Sequence, residues 1–145
     1  YQSTPLEWIF AARPVWYYVK YLGDHISNIY VQGNPIILWL GLVAIVLQLK
    51  KLFDIRYSLF FFPYVIFTLP WIASPRIMFF YHYLPSSVFL CVILANFISD
   101  LSPRLRISLL VCFSVSLLLI SPMLYGFPMS HAYWDTLFKL LPSWK

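Results

Sequence analysis

Residues 76–85, "RIMFFYHYLP", bring together side chains that could act on a charged ligand. Within them an arginine, a histidine and two tyrosines stand at Arg76, Tyr81, His82 and Tyr83, next to an otherwise apolar segment. Ionisable side chains are rare at membrane depth and most often mark a functional site. The stretch therefore predicts a binding site at the mouth of an apolar region.

Each of these residues also has a structural interpretation, which stays open at this point. Arg76 could be a side chain that snorkels to the membrane interface. His82 could be a hydrogen-bonded packing residue between helices, and Tyr81 and Tyr83 could belong to an aromatic belt at the membrane surface.

The composition predicts an integral membrane protein. Apolar residues make up 61% of the chain and charged residues only 10%, far from the balance of soluble proteins. The apolar residues form four blocks separated by short charged joints, and each block predicts a transmembrane helix. The predicted fold is all-α, with helices over residues 35–49, 57–73, 77–98 and 107–125.

The basic residues predict an orientation rather than a nucleic-acid surface. The formal charge is +5, but the cations lie at helix ends and not in one stripe. By the positive-inside rule, the two basic joints face the cytoplasm of a multi-pass plasma-membrane protein. Arg76, the N-terminal segment and the C-terminus then face outside. The cations of the two basic joints are Lys50, Lys51, Arg56, Arg104 and Arg106.

Three regions follow from this pattern. Residues 1–34 mix many aromatic with charged side chains and predict an outward-facing segment lying at the membrane interface. Residues 35–125 form the four-helix membrane domain, which Asn34 can cap and Pro35 can begin. Residues 126–145 form an outward-facing tail. Neither a metal-ligand cluster nor a glycine-rich phosphate loop is present, so no metal or cofactor is predicted.

Four stretches together resemble one known family. "PLEW", "PVWYY" and "GNPIILWLG", followed by "SPRIMFFYHYLPS", resemble the C-terminal membrane module of bacterial-type protein O-mannosyltransferases. The resemblance covers nearly the whole chain. Its most specific part is the pattern R-x-x-F-x-Y-H-Y-L-P, filled here by Arg76, Phe79, Tyr81, His82, Tyr83, Leu84 and Pro85.

The resemblance implies a glycosyltransferase that moves mannose from polyprenyl-phosphate-mannose to Ser or Thr hydroxyls of secreted proteins. The family's catalytic Asp-Glu pair is missing, because the five acidic residues of this chain are isolated from one another. We therefore expect no catalytic residue in this chain, and an N-terminal remainder of the enzyme that supplies the base. The isolated acidic residues are Glu7, Asp24, Asp54, Asp100 and Asp135.

In the activity implied by the resemblance, Arg76 would bind the donor phosphate while Tyr81, His82 and Tyr83 shape the pocket. A guanidinium can hold a phosphate through two parallel hydrogen bonds. A continuous helix over residues 77–98 would place Arg76, Phe80 and Tyr83 on one face. Pro85 should kink that helix.

Two other classes of function remain open from the sequence. A non-catalytic membrane scaffold subunit would account for the missing carboxylate pair. A lipid-binding or transport module would account for Arg76 and His82 without any glycosyl transfer.

Overall fold

The computed structural model describes residues 2–140, which are mostly helical. Six α-helices and two 3₁₀ turns occur in this part of the chain. The helices are α1 (Pro5–Ile9), α2 (Pro35–Gln48), α3 (Ile55–Ile72), α4 (Leu84–Ser99), α5 (Pro103–Tyr125) and α6 (His131–Leu140), and the 3₁₀ turns are Leu49–Lys51 and Phe80–Tyr83.

A small antiparallel sheet corrects the all-α prediction. Its strands are β1 (Val15–Leu22), β2 (His25–Val31) and β3 (Met129–Ser130), in the order β1-β2-β3. Strand β2 pairs with β1 on one side and with Met129–Ser130 on the other. The N-terminal segment and the residues after α5, predicted as two separate outer regions, therefore share one sheet. The predicted tail beyond Leu140 lies outside the described residues.

The hairpin of β1 and β2 forms because its sequence suits strands and a tight turn. Val, Trp and Tyr dominate β1, and such side chains fit a pleated surface. Leu22 pairs with His25, which leaves Gly23 and Asp24 as a two-residue turn. Gly23 has φ 60°, the left-handed conformation that primed hairpin turns need at this position.

Three of the described helices are long and apolar enough to cross a membrane. They are α3, α5, and α4 together with the 3₁₀ turn Phe80–Tyr83 that precedes it. Helix α2 has 14 residues, or about 21 Å at 1.5 Å per residue, which is short of a hydrocarbon layer of about 30 Å. The predicted third helix begins later than expected, because residues 74–79 are irregular. Pro85 starts α4 instead of kinking a longer helix.

Helices α2, α3 and α4 pack around the main apolar core. Its buried members include Leu38 of α2, Tyr64 of α3, and Leu90 and Ile93 of α4. Gly41 of α2 faces Leu90 so closely that a Cβ at this position would lie 2.6 Å from Leu90 Cγ. Small residues permit such close approach between membrane helices.

Asn34 joins α2 to α5, and the predicted cap at this residue is confirmed. Its Oδ1 accepts hydrogen bonds from the backbone amides of Ile36 and Ile37 at 3.0 and 3.4 Å. Its Nδ2 donates to Ser116 Oγ at 2.6 Å and to the Phe113 carbonyl at 3.3 Å. Helix α2 therefore starts beside the middle of α5.

The second half of α5 packs against the sheet. Ile26 and Tyr30 of β2 are buried with Met123 of α5, Met129 and Leu137. The Ser27 hydroxyl donates to the Gly126 carbonyl at 2.7 Å, directly after α5 ends. The sheet is thus anchored to one end of the membrane helices.

Candidate functional site

Arg76 lies in the irregular segment between α3 and α4 and is exposed. Among the described residues its guanidinium has no ion-pair partner and no hydrogen-bond acceptor, and only its backbone amide is bonded, to Ser74 Oγ at 3.4 Å. The side chain borders a pocket of about 180 Å³ lined by residues 2–4 and 74–78. This cation is therefore available to an anionic ligand.

Residues 2–4, which lead into helix α1, build the other wall of this pocket. Thr4 and Glu7 form a capping box, in which the Thr4 amide donates to Glu7 Oε2 at 2.6 Å and the Glu7 amide to Thr4 Oγ1 at 3.4 Å. The Ser3 amide donates to the Met78 carbonyl at 2.9 Å, which fastens the N-terminal segment to the Arg76 loop. The N-terminal segment, predicted to lie at the membrane interface, thus contributes residues 2–4 to this pocket.

His82 is surrounded by aromatic rings from three parts of the chain. Trp8 of α1 stacks on it with ring centroids 5.9 Å apart, and Trp71 of α3 meets it edge-on at 4.5 Å. Tyr81 stacks on it at 4.5 Å. The histidine is partly buried, so these rings fix its orientation while part of it stays open.

The hydrogen bonds of His82 favour one tautomer. Its Nδ1 lies 3.2 Å from the Phe79 amide nitrogen and 3.0 Å from the Phe79 carbonyl oxygen. That carbonyl already accepts a hydrogen bond from the His82 amide at 3.0 Å. An Nδ1 that accepts from the Phe79 N–H satisfies both groups, and it leaves the proton of the neutral ring on Nε2.

Tyr83 does not share a face with Arg76, which corrects the predicted arrangement. Arg76 is not helical, whereas Phe80 and Tyr83 lie in a 3₁₀ turn and are 1% and 0% exposed. The Tyr83 hydroxyl lies 3.0 Å from the Tyr64 hydroxyl and forms a buried hydrogen bond with it. Tyr81, by contrast, is 41% exposed. Arg76, Tyr81 and His82 thus remain accessible, whereas Tyr83 is buried in the apolar core.

Trp8 is the site residue that the sequence did not single out. It is fully buried, and its Nε1 donates to Ser3 Oγ at 2.7 Å. The signal was the capping box before it, since "TPLE" predicts a helix start and Trp8 follows directly. A helix at this point indicates a packed element rather than a loose interfacial segment.

These features describe a helical membrane module with an exposed arginine beside a pocket, and a group of aromatic rings around His82, near the ends of its membrane helices. The module belongs to the C-terminal four-transmembrane region of the protein O-mannosyltransferases, whose family model matches residues 1–144. The chain is therefore a membrane protein and a protein O-mannosyltransferase component.

A solved structure has the same fold. The S. cerevisiae protein O-mannosyltransferase Pmt1-Pmt2 complex bound to the sugar donor matches with a TM-score of 0.76 and 20% sequence identity. The match covers 100% of this chain and 24% of the yeast chain, so this chain spans about a quarter of that protein's length. No curated protein sequence matches the chain.

Proposed function

We propose that this chain is the part of a protein O-mannosyltransferase that binds the phosphate of polyprenyl-phosphate-mannose. The observation that carries the proposal is the exposed Arg76, which has no ion-pair partner among residues 2–137, at the hydroxyl-bearing pocket close to where α3 ends and α4 begins. When the hydrocarbon tail of a lipid lies in the membrane interior, its phosphate lies beside the ends of the membrane helices, where Arg76 is. The sugar donor named for the yeast complex supports a donor of this kind.

In the proposed reaction an acceptor Ser or Thr hydroxyl attacks C1 of the mannose. The bond between C1 and the phosphate oxygen breaks, its electron pair leaves with the phosphate, and the configuration at C1 inverts. The hydroxyl proton passes to a carboxylate in the part of the enzyme outside this chain. Arg76 neutralises the charge that grows on the leaving phosphate, an electrostatic contribution that is usually large.

His82 acts in this scheme as a fixed hydrogen-bond donor. Its Nε2–H donates to an oxygen of the mannosyl phosphate, since Nδ1 is occupied by Phe79. The stacked Trp8 and the edge-on Trp71 hold the ring, so little orientational entropy is lost when the donor binds. Tyr81 forms the exposed rim.

The proposed topology places this site outside the plasma membrane, where a secreted acceptor protein can reach it. Helix α2 crosses as a fourth span, and the two joints that carry the basic residues after α2 and before α5 face the cytoplasm. Arg76 and the sheet face the opposite side. The acceptor is a polypeptide with accessible Ser or Thr hydroxyls.

The test is Arg76→Ala in the complete enzyme, assayed with polyprenyl-phosphate-mannose and an acceptor peptide. We expect a loss of about 2–4 kcal/mol in transition-state stabilisation, comparable to removing one donor from an anion site. Arg76→Lys should recover only part of the transfer activity, because lysine keeps the charge but cannot form two parallel hydrogen bonds to the phosphate. Lys20→Ala is the matched control, because Lys20 is an exposed cation on β1 and should leave transfer unchanged.

Unchanged turnover and donor affinity in Arg76→Ala would overturn the proposal. Donor binding without mannose transfer in the complete wild-type enzyme would instead favour a lipid-binding or transport module. If the wild-type protein shows neither donor binding nor mannose transfer, a scaffold subunit would be favoured.

A further inference from the structure

An apolar groove opens between α2, α4 and α5, away from the Arg76 site. It has a volume of about 350 Å³, within the range of pockets that hold small ligands. Ile37 comes from α2, Leu94 and Ile98 from α4, and Leu110 and Phe113 from α5. Leu110 is 52% exposed, so the groove opens on the side of the helices that faces lipid.

One end of this groove carries a cation without a counter-ion. Arg106 lines the groove and is half-buried. The nearby carboxylate of Asp100 is engaged by Lys51 Nζ at 2.7 Å, and none of the described residues forms an ion pair with Arg106. Ser99, also at this end, donates its hydroxyl to the Asn96 carbonyl at 2.7 Å. The groove therefore combines an apolar trough with one unneutralised guanidinium.

The cation lies at the opposite end of α4 from the donor site. Arg76 and His82 precede the first residue of α4, whereas Ser99 ends the helix and borders the groove beside Arg106. Helix α4 and the 3₁₀ turn before it, Phe80–Ser99, comprise 20 residues and cover about 30 Å at 1.5 Å per residue, the thickness of a hydrocarbon layer. A lipid phosphate on Arg106 would thus belong to the other leaflet, and it cannot be the donor phosphate held at Arg76.

We propose that this groove binds one anionic glycerophospholipid of the leaflet opposite Arg76. An acyl chain lies in the trough between α4 and α5, and the lipid phosphate accepts hydrogen bonds from the Arg106 guanidinium. The charge around this end of the groove is complementary, because Lys50 and Arg56 lie in the neighbouring joint, which Lys51 links to Asp100. Basic pockets between membrane helices bind anionic head groups in this way.

The bound lipid would replace protein packing that α5 lacks at this level. Asn34 ties α5 to α2 at Phe113 and Ser116, while the groove separates α5 from α4 on the Arg106 side. A lipid that fills this gap binds the folded form and stabilises it by mass action. The same lipid should not be needed for chemistry at Arg76.

The experiment measures binding of phosphatidylglycerol to the complete purified enzyme by native mass spectrometry, with phosphatidylcholine as the neutral probe. Arg106→Ala should weaken phosphatidylglycerol binding about tenfold, as expected for losing a charged hydrogen-bond donor. Arg104→Ala is the matched control, since it removes the same charge from an exposed position of α5 outside the groove. Ala95→Trp should block the groove and weaken binding with all charges intact.

A photo-reactive phosphatidylglycerol with a diazirine on its acyl chain then locates the lipid. Labelling of the α4 peptide that contains Cys91 and Ala95 is the expected result. Equal loss in Arg104→Ala and Arg106→Ala would reduce the effect to general surface charge and overturn the proposal. Equal binding of phosphatidylcholine, full binding by Ala95→Trp, or no label on α4 because a further helix of the enzyme fills the groove would also overturn it.

Discussion

Trp8 and His82 stack with their ring planes 14° apart, which links the N-terminal helix α1 to the segment between α3 and α4. Trp8 is fully buried and held by its hydrogen bond to Ser3, so its indole ring has little freedom to reorient. The imidazole of His82 is therefore oriented by a residue more than seventy positions earlier in the chain. The site depends on α1 being folded.

The first prediction follows from this stack. Trp8→Phe keeps a ring in the core but loses the bond to Ser3 and much of the stacked area. Aromatic pairs contribute about 0.5–1.5 kcal/mol beyond burial, so donor affinity should fall about three- to tenfold. Donor binding to the complete enzyme, followed by microscale thermophoresis, measures this change.

Trp39→Phe is the control for that experiment. Trp39 also donates its Nε1, to the Phe10 carbonyl at 2.8 Å, but it lies on α2 and is 42% exposed. The Trp39→Phe substitution should lower the stability of the protein slightly and leave donor affinity unchanged. Equal affinities for Trp8→Phe and Trp39→Phe would show that the stack does not orient His82.

A second prediction concerns the buried hydroxyl pair of Tyr64 and Tyr83. Tyr83→Phe leaves the Tyr64 hydroxyl without its partner, at a cost of about 1–3 kcal/mol in the free energy of unfolding. The double variant Tyr64→Phe with Tyr83→Phe should recover most of that stability, because neither unpaired hydroxyl remains. Thermal unfolding in detergent of the wild-type protein, the two single variants and the double variant gives the coupling energy between the two hydroxyls.

The same four proteins separate a supporting role of Tyr83 from a binding role. If Tyr83 supports the site, donor affinity should recover together with stability in the double variant. A loss of donor affinity that persists in the double variant would mean that the Tyr83 hydroxyl itself contacts the donor.

The third prediction tests the close approach of α2 and α4. Gly41→Ala should destabilise the protein by about 1–3 kcal/mol through overpacking, because the added methyl would overlap Leu90. This outcome opposes helix propensity, which favours Ala over Gly by about 1 kcal/mol. Combining it with Leu90→Ala should cost less than the sum of the two single changes, measured by unfolding midpoints. A stabilised Gly41→Ala protein would exclude the close packing.

The fourth prediction tests the proposed topology. In a protein with Cys91 and Cys112 replaced by Ser, single cysteines are placed at Phe53, Ser102 or Lys20. An impermeant thiol reagent added to intact cells should label only the Lys20 position, since the joints that hold the other two carry the basic residues. All three should react after the membrane is opened, and the reverse pattern would place Arg76 in the cytoplasm.

Local signals in the sequence predicted part of the fold correctly. Apolar blocks located the helices α2, α3 and α5 to within a few residues, and "GNP" located the α2 start because capping depends on adjacent residues. The helix after Arg76 was misplaced, because hydrophobicity alone cannot tell an irregular apolar segment from a helix. Pro85 marked the true boundary, since proline is favoured in the first turn.

The hairpin was missed although its signal was present. Strand-forming Val, Trp and Tyr before Gly23 and Asp24 predict β1 and a tight turn. Their aromatic content suggested a membrane interface instead. The pairing of β2 with Met129–Ser130 joins residues about a hundred positions apart, and no local pattern reports such a contact. The burial of Tyr83 and the stack of Trp8 on His82 likewise depend on tertiary packing.

The start of α2 beside the middle of α5 has a consequence for the surrounding bilayer. Helix α5 is nine residues longer than α2, about 13 Å at 1.5 Å per residue. In the proposed topology α2 is a fourth span, and hydrocarbon that matches α5 is too thick for it, so lipid next to α2 would thin or be displaced by the polar cap at Asn34. Water and lipid head groups thus reach deeper on this flank of the protein than on the flank covered by α5.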